Sequence, residues 1–220
     1  MLARWLLATG LLGLAVAANA ALLMRAPTPI TPPTGEVKID LAGLPLVVSR
    51  ALIADHAQQA GGRLTRLDLQ MDRVHYQPLA GSFMRKPGEA APEVLHVVLT
   101  NPGPKAPPAD QLQQIYARFL APETAQASGG LMLRRFRAGT PYEDRELFIG
   151  AGALGGSIGR LFIALCPRGA AQDIEPCIAR LRQDGVEAEL RFPARALGEW
   201  RRMGTETLQI IRRLRGLDEG

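Results

Sequence analysis

Cysteine, aromatic residues, lysine and histidine are all scarce in this 220-residue chain, and each shortage removes a class of protein. Two cysteines exclude a disulfide-dense mini-protein and a four-thiolate zinc site. Three histidines, His56, His75 and His96, stand apart without the H-x-x-x-H or C-x-x-H spacing of a metal site. Aromatics make up 5% of the chain and do not interleave with the basic residues as a base-stacking surface requires. Lysine occurs only at Lys38, Lys86 and Lys105, so the positive charge is nearly all arginine, a skew that genome composition produces. No run of five or six like charges exists, which excludes a nucleic-acid-binding tail.

What is present supports a folded domain. The chain is 47% hydrophobic and 21% charged, with a net charge of +5. That is enough apolar content for a core, and the length allows one ordinary domain plus a short appendage. The densest basic spots are Arg134, Arg135 and Arg137, then Arg201 and Arg202, then Arg212, Arg213 and Arg215. They read as solvated faces; among functional alternatives, attraction to anionic lipid headgroups stands above nucleic acid.

Trp5 to Met24, WLLATGLLGLAVAANAALLM, carries no charge and is bracketed by Arg4 and Arg25. As a helix it spans about 30 Å, the hydrocarbon thickness of a bilayer. The same residues fit a signal peptide, with Ala18-Asn19-Ala20 as an A-x-A cleavage site. The apolar run continues past Ala20 through Ala21, Leu22, Leu23 and Met24, where a cleaved signal turns polar. We therefore expect residues 1–25 to be an uncleaved transmembrane anchor, with residues 5–24 in the lipid bilayer and cleavage at Ala20 as the alternative. Orientation rests on the short N-terminal flank, because basic residues are nearly balanced on the two sides. No cysteine lies in the stretch, so anchoring through a lipidated cysteine is excluded. Residues 26–35, APTPITPPTG, hold four prolines and form an extended spacer. The exported domain then covers residues 36–220, facing the periplasm from a bacterial inner membrane.

Within that domain, Val37–Val48 reads as extended, with interruptions at Gly43 and Pro45. Ser49–Gln59 suits a short helix capped by Ser49 and stopped by Gly61-Gly62. Leu64–Tyr76 and Glu93–Thr100 are strand-like. Ala109–Ala121 places Leu112, Ile115, Tyr116 and Phe119 on one helical face, with Asp110 near its start. Five short strands follow: Leu131–Phe136, Arg145–Ile149, Arg160–Cys166, Cys177–Gln183 and Val186–Phe192. Asp184-Gly185 is a type I′ hairpin turn between the last two. Val186, Ala188, Leu190 and Phe192 face one way and Glu187, Glu189 and Arg191 the other, a half-buried strand. Ala196–Arg215 closes as an amphipathic helix whose stripe is Leu197, Trp200, Met203, Thr207, Ile211 and Leu214. The expected fold is α+β: an antiparallel sheet of about six or seven strands with that helix packed on one face.

Cys166 ends one expected strand and Cys177 begins the next. In an exported chain this arrangement points to a disulfide across the intervening loop. If Phe162, Ala164 and Cys166 share a face, they match Cys177 and Ala179 across the hairpin. Closing such a loop contributes roughly 2.5–3 kcal/mol in the chain-entropy model. The alternative is two buried free thiols. A redox-active pair is disfavoured, because there is no C-x-x-C and no charge flanks Cys177.

Gly150–Gly159, GAGALGGSIG, contains two well-known patterns. Gly150-x-Gly152-x-x-Gly155 matches the dinucleotide fingerprint, and Asp173 and Glu175 lie at a distance suited to a ribose hydroxyl. However, the following stretch is β-rich rather than helical, and five glycines in ten residues make chance matches easy. Gly155-x-Ser157-x-Gly159 matches the nucleophile elbow, yet all three histidines precede Ser157, against the chain order of that fold. The run reads as a mobile loop between strands. His96, inside EVLHVVLT, reads as a satisfied core or sheet-face histidine. Glu143, Asp144 and Glu146 read as a polar turn. No catalytic, cofactor-binding or metal-ligating residue is assigned.

The anchor-plus-proline start, Gly129–Ile149 (GGLMLRRFRAGTPYEDRELFI), Leu161–Pro167 (LFIALCP) and Pro176–Phe192 (PCIARLRQDGVEAELRF) together resemble a family of small, exported, membrane-anchored proteobacterial proteins without assigned activity. The resemblance implies an envelope location and a shared scaffold, and it transfers no activity and no functional residue. The expected function is a membrane-tethered periplasmic binding or accessory domain, whose partners are the bilayer and another envelope protein. The alternative is an exported hydrolase-like enzyme using the glycine run 150–159 and the nearby carboxylates. The two readings differ in what should converge. An enzyme brings Ser157 or the 143–146 carboxylates to a histidine in a pocket, whereas a binding module shows an exposed apolar patch or a free sheet edge.

Overall fold

The computed structural model describes residues 33–79, 93–154 and 157–217. The anchor expected at residues 5–24 and most of the proline spacer lie outside the described residues. Among the described residues no helix is long and apolar enough to cross a membrane.

The chain builds two sheets. The first is a small one of order β2-β1-β3, formed by β1 (Glu36–Leu41), β2 (Leu44–Ser49) and β3 (Gly62–Leu64). Gly43, expected as an interruption, is instead half of the turn that makes β1 and β2 a hairpin. Ala42 and Gly43 both take positive φ (48° and 91°), and the Gly43 N–H donates to Asp40 Oδ1 at 2.5 Å. Two consecutive positive-φ residues are what a right-twisted hairpin needs.

The second sheet has eight antiparallel strands in the order β4-β5-β11-β10-β9-β8-β7-β6, against the six or seven expected. Its strands are β4 (Arg66–Asp72), β5 (Val94–Thr100), β6 (Leu120–Ala127), β7 (Leu131–Phe136), β8 (Arg145–Leu154), β9 (Ser157–Pro167), β10 (Cys177–Gln183) and β11 (Val186–Phe192). Asp184 and Gly185 both take positive φ, at 49° and 80°, as the type I′ reading of the β10–β11 turn requires. Alternation along β11 is as expected, with Val186, Ala188, Leu190 and Phe192 all buried.

Three expectations are corrected. Ser49–Gln59 is not a helix but two 3-10 turns, Arg50–Leu52 and Gln58–Ala60. Sheet pairing outcompetes the cap: Ile53 bridges Leu69, the Ala54 N–H donates to the Asp68 carbonyl at 2.9 Å, and Gln58 Oε1 accepts the Asp68 N–H at 2.8 Å. These residues cover the outer edge of β4. The segment expected as a helix to Ala121 ends at Phe119 after an irregular 108–119 stretch, and Leu120 opens β6. The sequence LAPETAQA gives little strand signal because β6 is an edge strand, mostly exposed on both faces, so no alternation is imposed on it. Finally, the described residues of the glycine run are strand rather than loop. Gly150–Leu154 continue β8 and Ser157–Gly159 begin β9, paired through Gly152↔Arg160 and Leu154↔Ser157.

The core lies on one face of the large sheet. There the inward residues of β4, β5, β11, β10 and β9, the small sheet and the last helix, Trp200–Leu214, share a single cluster. Every residue of the expected helical stripe is buried, Trp200 fully so. The opposite face is split. Over β7, β8 and β9 the 108–119 segment covers a smaller apolar cluster of Leu120, Phe136, Leu147 and Ile163, where Tyr116 packs edge-on against Phe136 and Tyr142. Over β4, β5 and β11 the face is uncovered and charged.

Candidate functional site

The uncovered part of the outer face is a grid of cross-strand neighbours. One row runs Asp68, Val98, Glu189, Arg180 across β4, β5, β11 and β10; the next runs Gln70, His96, Arg191, Ile178. Because opposite residues share a face, the polar alternates of four strands are delivered to one surface. A cleft of about 860 Å³ lies over it. Its floor holds Arg66, Asp68, His96, Val98 and Arg191. One wall is Gln172, Ile174, Glu175 and Pro176, and Glu93 and Arg195 close another side.

The floor is built from ion pairs. Arg66 donates from Nε to Asp68 Oδ2 at 2.8 Å. Glu189 serves two arginines, with Arg191 Nη2 2.8 Å from Oε1 and Arg180 Nη2 2.9 Å from Oε2. Glu93 accepts from the buried Arg73, which also meets Glu199 at 3.0 Å, and lies 3.5 Å from Arg195. The hydrogen bond from Arg66 holds the Asp68 carboxyl below its usual range, and that from Arg73 does the same for Glu93. For Glu189, burial pushes upward, but the bonds from Arg191 and Arg180 outweigh it and the carboxyl is lowered. All three are therefore ionised at neutral pH. His96 is exposed, a sheet-face histidine rather than a core one.

The wall carrying Ile174 is the loop between β9 and β10. Cys166 and Cys177 are joined at its base, with Cα atoms 4.1 Å apart. The pairing Leu165↔Ile178 and Ala164↔Ala179, extended by one residue, sets the two cysteines opposite each other, the register expected from the alternation of β9. Both are fully buried. The loop is braced twice more: Arg145 Nη2 lies 3.0 Å from Glu175 Oε2, and Gln172 Nε2 donates to Glu146 Oε2 at 3.3 Å. On this braced loop Ile174 is 86% exposed, against the usual placement of isoleucine.

The residues of the enzyme alternative are not brought together. Ser157 opens β9 at the tip of the β8–β9 hairpin, nine residues along the strand from the Cys166 end that borders the cleft. Glu143 accepts the Gly139 N–H at 2.6 Å, Asp144 meets Arg145 at 3.4 Å, and Glu146 is buried against Arg135 and Gln172. Glu143 and Asp144 are thus spent within the turn, and Glu146 is spent on β7 and the β9–β10 loop. His56 bonds Gln59 and His75 bonds Asp72. Among the described residues no group of three His, Cys, Asp or Glu is placed to hold a metal ion. Glu175, considered for a ribose, is bound to Arg145. The cleft was not found from the sequence, although the alternation that gave β11 its wet face also holds for Arg66, Asp68 and Gln70 on β4.

No known protein family and no curated protein matches the sequence. Solved structures that share the fold include the Stenotrophomonas maltophilia protein Smlt3025, an immunity protein of the type IV secretion system. It superposes with a TM-score of 0.57 at 12% identity, over 81% of this chain and 92% of that one. FrpD, an iron-regulated outer membrane lipoprotein of Neisseria meningitidis, gives a TM-score of 0.50 at 12% identity, over 87% of this chain and 97% of that one. At that identity the likeness is one of fold.

Proposed function

We propose that the chain is an exported envelope protein whose folded domain acts as a protein-docking module, held at the bacterial inner membrane by residues 5–24. The observation that carries this reading is the disulfide-closed loop that presents Ile174 beside an open polar cleft. A loop held by a bond that persists in oxidising compartments, with an exposed apolar side chain at its rim, has the form of a pre-organised contact surface. The hydrolase alternative lacks a comparable observation, since Glu143, Asp144 and Glu146 are each held by a neighbouring protein group and the two histidines His56 and His75 bond residues of their own turns. Both fold neighbours carry names that connect them with secretion or the envelope, which supports the location.

Within this reading, the neighbour with the higher TM-score favours a more specific role: an immunity-type protein that binds and neutralises a secreted effector. The experiment is fractionation of expressing cells, with thiol alkylation before lysis, followed by sizing of the detergent-extracted protein by light scattering. The expected result is an envelope-located chain with both thiols protected, in a complex of fixed stoichiometry with a second protein. A cytoplasmic chain with two alkylatable thiols, or an extracted chain with no partner, would overturn it.

A further inference from the structure

We propose that the cleft over β4, β5 and β11 takes an extended acidic segment of the partner protein, with its carboxylates on Arg66, Arg191 and Arg195 and an apolar side chain of the segment on Ile174. This rests on the reading of the domain as a docking module.

The charges that line the cleft lie at two depths. In the pairs made by Arg66, Arg191 and Arg195 the carboxylate is the inner member and the guanidinium the outer one, whereas Arg73, on the far side of Glu93, is the deeper member of its pair. Side-chain exposure is 51% for Arg66 against 27% for Asp68. It is 43% for Arg191 against 19% for Glu189, and 69% for Arg195 against 31% for Glu93. An incoming segment meets guanidinium before it meets carboxylate. Sharing strengthens the bias at Glu189, which serves both Arg180 and Arg191, so that this group of three keeps one positive charge. Glu93 serves both Arg73 and Arg195, with Glu199 as a second carboxylate on Arg73.

Donors are also left over. Arg66 and Arg191 use Nε and Nη2 on their carboxylates, and Nη1 of each has no partner among the described residues. A guanidinium has five N–H donors in a fixed fork, suited to a further carboxylate. Because Asp68 and Glu189 already hold these forks in place, less rotamer entropy is lost when a ligand arrives. The apolar part of the site is Ile174, whose loop is fixed by the disulfide, by Arg145–Glu175 and by Gln172–Glu146.

The rim argues against a continuous phosphate surface. Glu175, 51% exposed, stands on the rim of the cleft. A nucleic-acid strand or an anionic bilayer would press phosphates onto it, whereas a peptide can place carboxylates on one side and an apolar or basic residue on the other.

The test uses the full chain, purified in detergent with its disulfide intact. Fluorescence anisotropy follows a short labelled peptide of aspartate and glutamate with one leucine, and its twin with lysine at every acidic position. The acidic peptide is expected to bind at least about tenfold more tightly than its twin and to weaken with added salt. Arg66→Gln and Arg191→Gln should each weaken it by about three- to fivefold, the scale of one partly exposed ion pair. Ile174→Ser should weaken it too, whereas Lys38→Gln on the small sheet should not. The doubly reversed R66E/R191E protein should prefer the lysine peptide, a gain that a misfolded variant cannot mimic. Equal affinity for the two peptides, indifference to R191Q, or tighter binding of phosphatidylglycerol vesicles or single-stranded DNA would overturn the proposal. If the native envelope complex forms and survives R66Q/R191Q, the cleft assignment fails while the docking reading stands; if no complex forms, the docking reading itself fails.

Discussion

Gly150 lies so close to the Trp200 ring that a Cβ built on it would stand 2.8 Å from ring atoms Cζ2 and Cη2. This contact explains a glycine that the sequence offered as part of a dinucleotide fingerprint. Trp200 is fully buried, packs 5.4 Å from Phe162, and donates from Nε1 to the Gly129 carbonyl at 2.9 Å. It anchors the start of the last helix on β8 and needs a side-chain-free strand beneath it. The fit continues along the helix, where a Cβ on Gly204 would stand 2.9 Å from Leu154 Cδ2. Two glycines, one on the strand and one on the helix, set how closely the layers approach.

Replacing Gly150 by Ala should therefore destabilise the domain by about 1–3 kcal/mol through overpacking. Urea unfolding followed by tryptophan fluorescence measures this, and an unchanged midpoint would show that Trp200 repacks freely. Addition of NAD or ATP should leave the midpoint of either protein unmoved, since Gly150 and Gly152 are paired with β9 rather than opening a helix.

The disulfide carries a second prediction, on both stability and shape. The chain-entropy relation gives about 2.8 kcal/mol for a loop of this size, so C166S/C177S should unfold more easily by about 2–4 kcal/mol. The loop of Ile174 should also become the first site of limited proteolysis, because the covalent closure is lost and only non-covalent bonds such as Arg145–Glu175, Gln172–Glu146 and the Arg168 N–H to the Asp144 carbonyl are left among the described residues. Mass spectrometry of the early fragments locates the cut. First cleavage elsewhere, with the 168–176 loop intact, would mean that the ion pair and the amide suffice.

Tyr76 gives the third. Its hydroxyl is buried without a hydrogen-bond partner among the described residues, and burial pushes its pKa up to about 12. Tyr76→Phe removes an unsatisfied polar atom and keeps the ring, over which Arg202 lies at 5.6 Å. The substitution should be neutral or stabilising, by up to about 1 kcal/mol. The sign of the alkaline effect follows from the raised value. Below about pH 10 the hydroxyl is protonated in both states and costs nothing further. Between about pH 10 and the folded value near 12 the unfolded chain ionises first, so stability falls as pH rises. Absorbance titration of phenolate should show the highest-pH phase vanish in Y76F.

Much of this architecture was legible in the sequence, for identifiable reasons. The β10–β11 hairpin and the last helix announce themselves because each has one dry and one wet face, so Val186–Phe192 and Leu197–Leu214 show periods of two and of 3.6. Cys166 and Cys177 were legible for the same reason, since the alternation of β9 fixed which face Cys166 takes. The failures are positions where local sequence and tertiary partner disagree. SRALIADHAQQ satisfies helix rules, yet Ile53 and Gln58 are recruited to the edge of β4. LAPETAQA has no buried face to pattern it. The glycine run mimics a loop although Gly150, at its start, is a strand residue that must be small under Trp200. The cleft itself was hidden because Arg66, Asp68, His96, Glu189 and Arg191 are far apart along the chain and meet only through the β4-β5-β11 register.

That register also governs how the protein responds to acid. Asp68, Glu93 and Glu189 are all held below the usual carboxylate range by their arginine partners. A carboxyl with a lowered folded pKa adds stability above its unfolded value, about 4, and that stability is lost as pH falls through the folded value. Stability should thus be level from neutrality to about pH 5 and decline below it as these groups are forced to take protons. Glu93 makes the sharpest case. Its partner Arg73 is only 7% exposed in its side chain, and without Glu93 that buried cation keeps Glu199 alone. Glu93→Gln should cost about 2 kcal/mol at neutral pH, the scale of a hydrogen bond to a charged group. The gap between variant and wild type should then narrow in acid, because the wild-type carboxyl becomes as neutral as the amide. Urea midpoints for both proteins across the acid range test this. A gap that stays constant with pH would mean that Glu93 acts through packing rather than through its charge on Arg73.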